Sequence, residues 1–469
     1  MDKNCREAID RYCSPWLRDL SEEREGKHKA IAALVLAKIN SVSQEEITAK
    51  LADLVLVGDG EREQAVEGLA YTSLQPKIKE EIVANGKLLE RLVSALQERP
   101  SAAFGCLTVF SNLTTYRPKQ TAEQKKMAQL KAYANQQKPE PDDPLDNDTF
   151  VTGRCKKLLD ADVVPAIVAS CKQTSSPTNI AMAVRTLLAL SKEQKHRNKM
   201  VQQGAVKLLL QIRERIAKTD KSTAEASVIE RNASHTLGRL LISMNPSHVF
   251  SSSLPASSAV TALIPLLSYD QESEHRDLLP TFEALLALTN LASMEDNSIR
   301  DLQIRAAWDK LEDLLFSSNT MVQRASVELV CNLMASPSGV AKFADGSNDA
   351  KRRMQILLAL ADVEDLATRR AAGGALAMLT EWDAAVTAVL EKDRGIGVLL
   401  DMCDDESDEM KHRGFACVLN VVSAPQDVGV RGVKAVKDAD GVEVLKEALR
   451  KTKNPEVLGI GVEVLKKLQ

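Results

Sequence analysis

The sequence contains few aromatic side chains: only 3% of its 469 residues are Phe, Tyr or Trp, although 44% are hydrophobic. Its buried surface must therefore come mainly from Leu, Val, Ile and Ala, a composition that favours helices. Neither sign of charge dominates, because 61 Lys and Arg stand against 65 Asp and Glu, for a net charge of −4. This balance argues against nucleic-acid binding through phosphates.

Segments that direct a chain into or across a membrane are also missing. The amino terminus, MDKNCREAIDRYC, is charged from its second residue and lacks the apolar stretch of a secretory signal. Apolar runs such as IAALVLA are much shorter than the roughly 18 residues that a membrane span needs. We therefore expect a cytoplasmic protein that binds neither membrane nor nucleic acid.

Motifs for catalysis and for cofactors are absent as well. The 8 cysteines include no CxxC pair and the 6 histidines no HxxxH or HExxH spacing, so we predict no metal site and no disulfide framework. No G-x-S-x-G or G-x-x-x-x-G-K-[ST] motif occurs. We predict a protein without enzymatic activity or cofactor, in which most cysteines are small buried hydrophobic residues.

Two recurring phrases predict the architecture. The first is a helix end, a break at Gly or Asp and a new Leu/Val-rich helix, found at residues 81–96, 157–170, 199–212, 389–402 and 435–449. Gly at such a break suits the left-handed residue that ends many helices. The second is a longer helix that ends near an Asn, with equivalent positions at Asn290, Asn332, Met378 and Asn420. Their spacing matches the armadillo period of roughly 40 to 47 residues. We predict an all-α, right-handed α-solenoid of armadillo repeats with no sheet.

The regularity of the repeats divides the chain into four segments. An irregular helical amino-terminal region (1–60) precedes the first clear armadillo repeats (61–116), an insert (117–150), and the main armadillo array with capping helices at its end (151–469). Within the insert, a helical stub is expected around Met127 to Ala134, followed by a mobile loop rich in Pro and acidic residues. Residues 251–258 are expected to form a short linker.

The long third helix of each repeat carries residues spaced four apart, which share one face. The rows are Phe104/Thr108/Asn112, Phe282/Leu286/Asn290, Arg324/Glu328/Asn332, Arg370/Gly374/Met378 and His412/Ala416/Asn420, and Arg239 takes the Asn position of a less regular helix. One interpretation is that the Asn side chains bind the backbone of an extended peptide, since Asn both donates and accepts. The other is that they brace a neighbouring helix turn. Bracing is favoured for Asn112 and Asn420, and both interpretations stay open for Asn290 and Asn332.

Three arginines, Arg324, Arg370 and Arg413, lie at or near the starts of third helices, where the helix dipole disfavours a cation. Each therefore needs a partner. Acidic residues just upstream can supply it: Glu364, Asp365, Asp404, Asp405, Glu406 and Asp408. The alternative is an acidic or carbonyl-rich client segment. For Phe282 and Met378 in the same rows, packing is the alternative to recognition.

Four of the predicted third helices resemble the UCS domain of the myosin-specific chaperones of fungi and animals. Their sequences are TFEALLALTNLAS (281–293), MVQRASVELVCNLMAS (321–336), RRAAGGALAMLT (369–380) and MKHRGFACVLNVV (410–422). The resemblance extends over about residues 60–469. It implies a non-enzymatic chaperone that binds the motor domain of the myosin heavy chain in an armadillo groove, assists its folding and supports actomyosin assembly. The groove residues that it implies are Arg239, Asn290, Arg324, Asn332, Arg370, Met378, His412, Arg413 and Asn420, and we add Phe282 and Glu328 from the same rows.

Animal members of that family add a tetratricopeptide domain, whose repeat of roughly 34 residues is not visible here. The chain thus resembles the shorter fungal type, or an animal chain without its N-terminal domain. A heat-shock protein 90 partner would bind without the tetratricopeptide domain. A nuclear-import receptor would need Trp four residues before the groove Asn, where this sequence has Leu286, Glu328 and Ala416. The remaining alternative is an armadillo scaffold or adaptor for other cytoskeletal proteins, because a groove does not name its ligand.

Overall fold

The computed structural model describes residues 3–23, 28–39, 43–57, 60–117, 126–127, 130, 143–218, 223–268 and 277–469. The chain divides into two compact units, Met1–Ser243 and Met244–Gln469, and each is described by itself. The described residues form α-helices, short 3-10 turns and one isolated β-bridge between Ser251 and Leu254, which confirms the all-α prediction. None of the described helices combines the length and the apolar character that crossing a membrane requires.

The first unit is built from helices that stack side by side. Its described helices are α1 (Lys3–Glu22), α2 (Lys29–Ile39), α3 (Gln44–Val57), α4 (Arg62–Thr72), α5 (Pro76–Ala84), α6 (Gly86–Glu98), α7 (Ala103–Thr114), α8 (Asp148–Asp160), α9 (Val163–Gln173), α10 (Pro177–Leu190), α11 (Gln194–Gln202), α12 (Ala205–Lys218) and α13 (Ala224–Ile242). Helices α2, α4, α7, α10 and α13 pack in this order, each against the next. Helices α7 and α13 carry Asn112 and Arg239, the two Asn positions that the sequence predicts in this part of the chain.

The second unit repeats the same plan with greater regularity. Its described helices are α14 (Ala256–Leu263), α15 (Leu279–Ala292), α16 (Asn297–Leu314), α17 (Thr320–Leu333), α18 (Pro337–Ala344), α19 (Asn348–Leu360), α20 (Leu366–Leu379), α21 (Asp383–Leu390), α22 (Gly395–Cys403), α23 (Asp408–Ser423), α24 (Gln426–Asp438), α25 (Gly441–Lys451) and α26 (Pro455–Leu468). The two repeats from α18 to α23 have a short first helix, a second helix and a long third helix, whereas the first helix of the last repeat, α24, has 13 residues. Before α17 the first two are fused into α16, because no Gly or Pro interrupts its 18 residues.

The predicted helix breaks follow two different physical rules. Gly204 has the expected left-handed backbone, with φ of 89°. At two other breaks an aspartate takes that conformation, Asp162 with φ of 56° and Asp440 with φ of 52°, which the short polar side chain tolerates. Gly395 is not left-handed but begins α22, and a Cβ there would lie 2.1 Å from the carbonyl oxygen of Val389. Glycine is needed at that break for close packing against the preceding helix, which corrects the prediction.

Cysteines belong mainly to the apolar core. The buried ones are Cys106, Cys155, Cys171, Cys403 and Cys417. Burial raises the pKa of the Cys106, Cys171 and Cys417 thiols to about 12. These thiols are uncharged near neutral pH, and the prediction that most cysteines are small buried hydrophobic residues is confirmed.

Buried arginines tie consecutive helices together. Nε of Arg154 in α8 donates to the carbonyl oxygen of Leu113 in the last turn of α7, at 2.8 Å. In the second unit, Nε of Arg300 in α16 donates to the carbonyl oxygen of Ala292 at the end of α15, also at 2.8 Å. A cation suits this place because the carboxyl end of a helix carries the negative end of its dipole.

Some predicted segments lie outside the described residues. These are most of the helical stub around Met127 to Ala134 and most of the loop that follows, since residues 118–125, 128–129 and 131–142 are not described. The predicted linker at 251–258 is shorter than expected, because α14 begins at Ala256. The four-segment division of the chain stays a prediction.

Candidate partner-binding face

The candidate residues of the second unit lie on four helices, α15, α17, α20 and α23, which pack in this order. We call the partly exposed side of these helices, which carries the predicted rows, the third-helix face. In α17, Val322, Leu329 and Leu333 are buried, whereas Arg324 and Asn332 are partly exposed. Helical periodicity thus separates a core side from a side available to a partner.

The Asn side chains of this face brace the preceding helix of the row. Nδ2 of Asn332 donates to the carbonyl oxygen of Thr289 in the last turn of α15, at 3.0 Å. Nδ2 of Asn420 likewise donates to the carbonyl oxygen of Ala377 in α20, at 3.3 Å. Nδ2 of Asn290 donates to the carbonyl oxygen of Met244, at 2.5 Å. The bracing that the sequence left open for Asn290 and Asn332 is therefore present.

The first unit uses the same brace. Nδ2 of Asn112 in α7 donates to the carbonyl oxygen of Ala70 in α4, at 3.1 Å. Arg239 in α13 is buried, and its Nη1 donates to the carbonyl oxygen of Leu188 in α10, at 3.2 Å. Arg239 thus does what Asn does elsewhere, since both supply an N–H donor to a last-turn carbonyl.

Arg324 is held by a carboxylate of the next helix in the row. Its Nη2 and Nε donate to the two carboxylate oxygens of Asp365, at 2.6 and 3.1 Å. Asp365 is also the N-cap of α20, where it accepts a hydrogen bond from the backbone N–H of Thr368 at 2.8 Å. The donated hydrogen bond from Arg324 is the main cause that lowers the pKa of Asp365 to about 2.

Arg370 and Arg413 share one carboxylate. Nε of Arg370 lies 3.1 Å from Oε2 of Glu409, and Nη2 of Arg413 donates to Oε1 of Glu409 at 2.6 Å. Nη1 of Arg413 also donates to the backbone carbonyl of Arg370. Arg370 is therefore paired with an acid of α23 and not with one just upstream of its own helix, which corrects the sequence-based partner. Adjacent third helices start side by side. The acidic residues at the start of one helix therefore lie opposite the arginines at the start of the preceding third helix.

Sequence reasoning missed a further pair of this kind. Nη2 of Arg369 lies 3.1 Å from Oδ2 of Asp405, and its Nη1 donates to the backbone carbonyl of Val363 at 2.9 Å. The signal was present in the sequence, since basic residues start α20 and acidic residues precede α23. It was not read because it links different repeats.

The remaining candidates make fewer polar contacts. Phe282 and Met378 are half-buried, and His412 is exposed. Glu328 is also half-buried, and none of the described residues forms a hydrogen bond or an ion pair with its carboxylate. Burial raises the pKa of Glu328. Gly374 lies between neighbouring helices, where a Cβ would be 3.0 Å from Sγ of Cys331.

Within the described ranges, no three His, Cys, Asp or Glu side chains come together as a metal site would require. Stacked repeats of three helices, each with a long third helix that presents donors and ion pairs, define a protein of the armadillo-repeat class.

Comparisons with known proteins show which proteins this chain is similar to. Residues 1–72 match the profile of a family described as "UNC45-central: Myosin-binding striated muscle assembly central". Ring assembly protein 3 of Schizosaccharomyces pombe is 29% identical over 457 residues, covering 96% of this chain and 58% of that protein. The structure of UNC-45 from Drosophila melanogaster matches with a TM-score of 0.79 at 25% identity, over 99% of this chain and 58% of that one.

A further structure, described as the myosin chaperone UNC-45 from C. elegans in complex with an Hsp90 peptide, matches with a TM-score of 0.77 at 23% identity. This match covers 97% of this chain and 47% of that one, and it supports the fold. The chain spans between 47% and 58% of the length of these relatives. Its relatives by sequence and by structure are proteins of the UCS/UNC-45 family, as the sequence resemblance predicts.

Proposed function

We propose that the protein is a myosin chaperone that binds the motor domain of the myosin heavy chain on its third-helix face. There it assists the folding, stability and actomyosin assembly of its client. Similarity in sequence to the S. pombe relative supports this proposal, as does the likeness to a C. elegans protein described as a myosin chaperone. The S. pombe relative is named for ring assembly, so we further propose a cytoplasmic role in the actomyosin ring of cytokinesis.

The observation that carries the binding site is the repetition of one polar pattern on four adjacent helices. Packed helices lie roughly 8–10 Å apart, which corresponds to about three residues of an extended chain. A client segment of about ten residues would therefore meet one row of side chains at every third residue. Because the arginines are already held by Asp365 and Glu409, the face needs little reordering to bind.

The proposed site residues contribute different chemistry. Arg324, Arg370 and Arg413 offer partly exposed guanidinium groups, and Glu328 offers a carboxylate. The remaining proposed site residues on this face are Phe282, Asn290, Asn332, Met378, His412 and Asn420. Arg239 belongs to α13 of the first unit and lies outside the third-helix face. An Asn whose Nδ2 braces a helix still has Oδ1 with which to accept a hydrogen bond.

Heat-shock protein 90 is the second partner that we propose, reached without a tetratricopeptide contact. The support is that the C. elegans structure is described as a complex with an Hsp90 peptide. Mixing this chain with full-length Hsp90 and analysing the mixture by size-exclusion chromatography tests the contact, and we expect co-elution.

The mechanism that fits these features is binding of the client without a cycle of ATP hydrolysis. The sequence has no nucleotide-binding motif, and a chaperone that only binds acts by mass action. We expect that heating a myosin motor domain with increasing amounts of this protein reduces light scattering until about one chaperone per client is present, without ATP. Strict ATP dependence, or equal protection of citrate synthase, would contradict dedicated client recognition.

A pull-down from cytosol separates this function from the scaffold alternative. A myosin heavy chain should dominate the fraction bound to this protein. Another cytoskeletal protein in its place would favour an armadillo scaffold or adaptor.

A further inference from the structure

Glu328 differs from the other charged residues of the third-helix face. Arg324 is held by Asp365, and Arg370 and Arg413 are held by Glu409. Glu328 is half-buried, yet no described residue donates a hydrogen bond to it or forms an ion pair with it. A partly buried carboxylate without a partner is unfavourable, so the residue calls for an explanation.

Two charged side chains act on the Glu328 carboxylate in opposite directions. Arg324 lies one turn before it on α17 and Asp365 lies on α20, and these two groups act on the Glu328 carboxylate with opposite signs. Their own side chains are joined at 2.6 Å, so neither is available to Glu328. The loss of water on burial is the dominant effect and raises the Glu328 pKa. Arg324 thus acts on Glu328 only through space, and no described cation hydrogen-bonds to the Glu328 carboxylate.

The surroundings of Glu328 suit a long basic side chain. One turn before the Asn position, the four helices of the face carry Leu286, Glu328, Gly374 and Ala416. Glu328 is the charged member of this line, and the others are apolar or small and partly exposed. Gly374 lies close to Sγ of Cys331, and the guanidinium of Arg413 lies 3.4 Å from the place that a Cβ of residue 374 would take. The aliphatic stem of Lys or Arg can pack on such a surface while its cation reaches a carboxylate.

We propose that Glu328 determines client specificity by pairing with a Lys or Arg side chain of the bound segment. The inference rests on the proposed function, since it assigns a residue-level preference to the same face. Glu328 thereby selects a client segment that carries a Lys or Arg at one fixed position and whose flanking residues can pack on an apolar surface.

Overlapping peptides that span a myosin motor domain test the proposal. For the peptide that the wild-type protein binds most tightly, each Lys is replaced by norleucine and each Arg by Gln, and Kd is measured against wild-type protein and Glu328→Gln. At one basic position we expect replacement to weaken wild-type binding about tenfold and to leave the affinity of Glu328→Gln unchanged. Glu364→Gln removes an exposed carboxylate close to the start of α20 and serves as the matched control. Each peptide replacement should change the Kd of Glu364→Gln as much as it changes the Kd of the wild-type protein.

The possible results are distinguishable. If the wild-type protein binds peptides and no basic position couples to Glu328, the specificity inference is wrong and the proposed function stands. If the wild-type protein captures no myosin peptide and no intact motor domain, both are overturned. Thermal unfolding separates a structural role: Glu328→Gln should melt at the same temperature or higher, and a marked fall would overturn the inference.

Discussion

Arg154 of the first unit and the arginines on the third-helix face of the second unit have different roles. In the first, Arg154 is fully buried, and its Nη1 donates to Oε1 of Glu80 at 2.7 Å and to the backbone carbonyl of Leu145 at 2.8 Å. In the second, Arg324 and Arg370 are partly exposed and paired with acids of the neighbouring helix. Breaking a buried pair is strongly destabilising, whereas exposed pairs contribute little. The first arrangement stabilises the fold, and the second leaves charge within reach of a partner.

The helix brace, in contrast, is common to both units. Asn112 and Arg239 make it in the first unit, and Asn332 and Asn420 make it in the second. A feature shared by both units is explained by the stacking of repeats alone. The half-exposed Arg and acid pairs of the second unit therefore distinguish the candidate binding face better than the Asn positions do.

Removing the buried arginine should have the largest effect. Arg154→Ala leaves Glu80 without its buried partner and the carbonyl oxygens of Leu113 and Leu145 without their donor, and we expect it to lower the free energy of unfolding by about 3–5 kcal/mol. Arg324→Ala, which breaks a partly exposed pair, should cost about 0–1 kcal/mol. Urea denaturation followed by circular dichroism measures both. Equal losses of unfolding free energy in the two variants would contradict the proposed difference between Arg154 and Arg324.

A second pair of variants compares packing with bracing inside α17. Leu329 is 1% exposed, and Leu329→Ala should cost about 2–5 kcal/mol because it leaves a cavity. Asn332→Ala removes one hydrogen bond to Thr289 and should cost about 1 kcal/mol while also weakening myosin binding. Thermal unfolding and binding are measured on the same samples. If the two variants unfold equally early, Asn332 is a structural residue and does not belong to the binding site.

The smallest expected effect is a pH dependence of stability. The pKa of Asp365 falls from 3.8 to about 2 in the folded protein, because Arg324 and Thr368 donate hydrogen bonds to it. The stability that this carboxylate contributes is therefore complete above its unfolded-state pKa and is lost as the pH falls through about 2. Between pH 5 and pH 2, wild-type protein should lose stability more steeply than Asp365→Asn. Parallel slopes would show that the Arg324–Asp365 pair does not form in solution.

Much of the fold was predictable because helical periodicity and a fixed repeat length are local signals. The third helices were placed correctly, as α17 and α20 illustrate, since their buried residues recur at helical spacing. The left-handed residues Asp162 and Asp440 were assigned less well. Steric tolerance for aspartate at a positive φ is not visible in a pattern that looks for glycine.

The candidate site was predictable as a set of residues but not as a set of contacts. The sequence identified Arg370 yet assigned it acids just upstream, whereas Glu409 of the next third helix holds it. Pairs of this kind link repeats roughly 40 residues apart, and their partners depend on how adjacent helices align. The unmatched carboxylate of Glu328 was likewise invisible, because a missing partner can be recognised only when every neighbour is known.

The central claim is that the third-helix face of the second unit binds the client. The most direct test compares the Kd of a myosin motor domain for two double variants that remove the same charge. Arg370→Gln/Arg413→Gln alters the third-helix face, and Arg185→Gln/Arg231→Gln alters exposed arginines on α10 and α13 of the first unit. We predict at least about tenfold weaker binding for the first variant and a change within about twofold for the second. Equal affinities for the two variants, or the larger loss in the second, would contradict the claim.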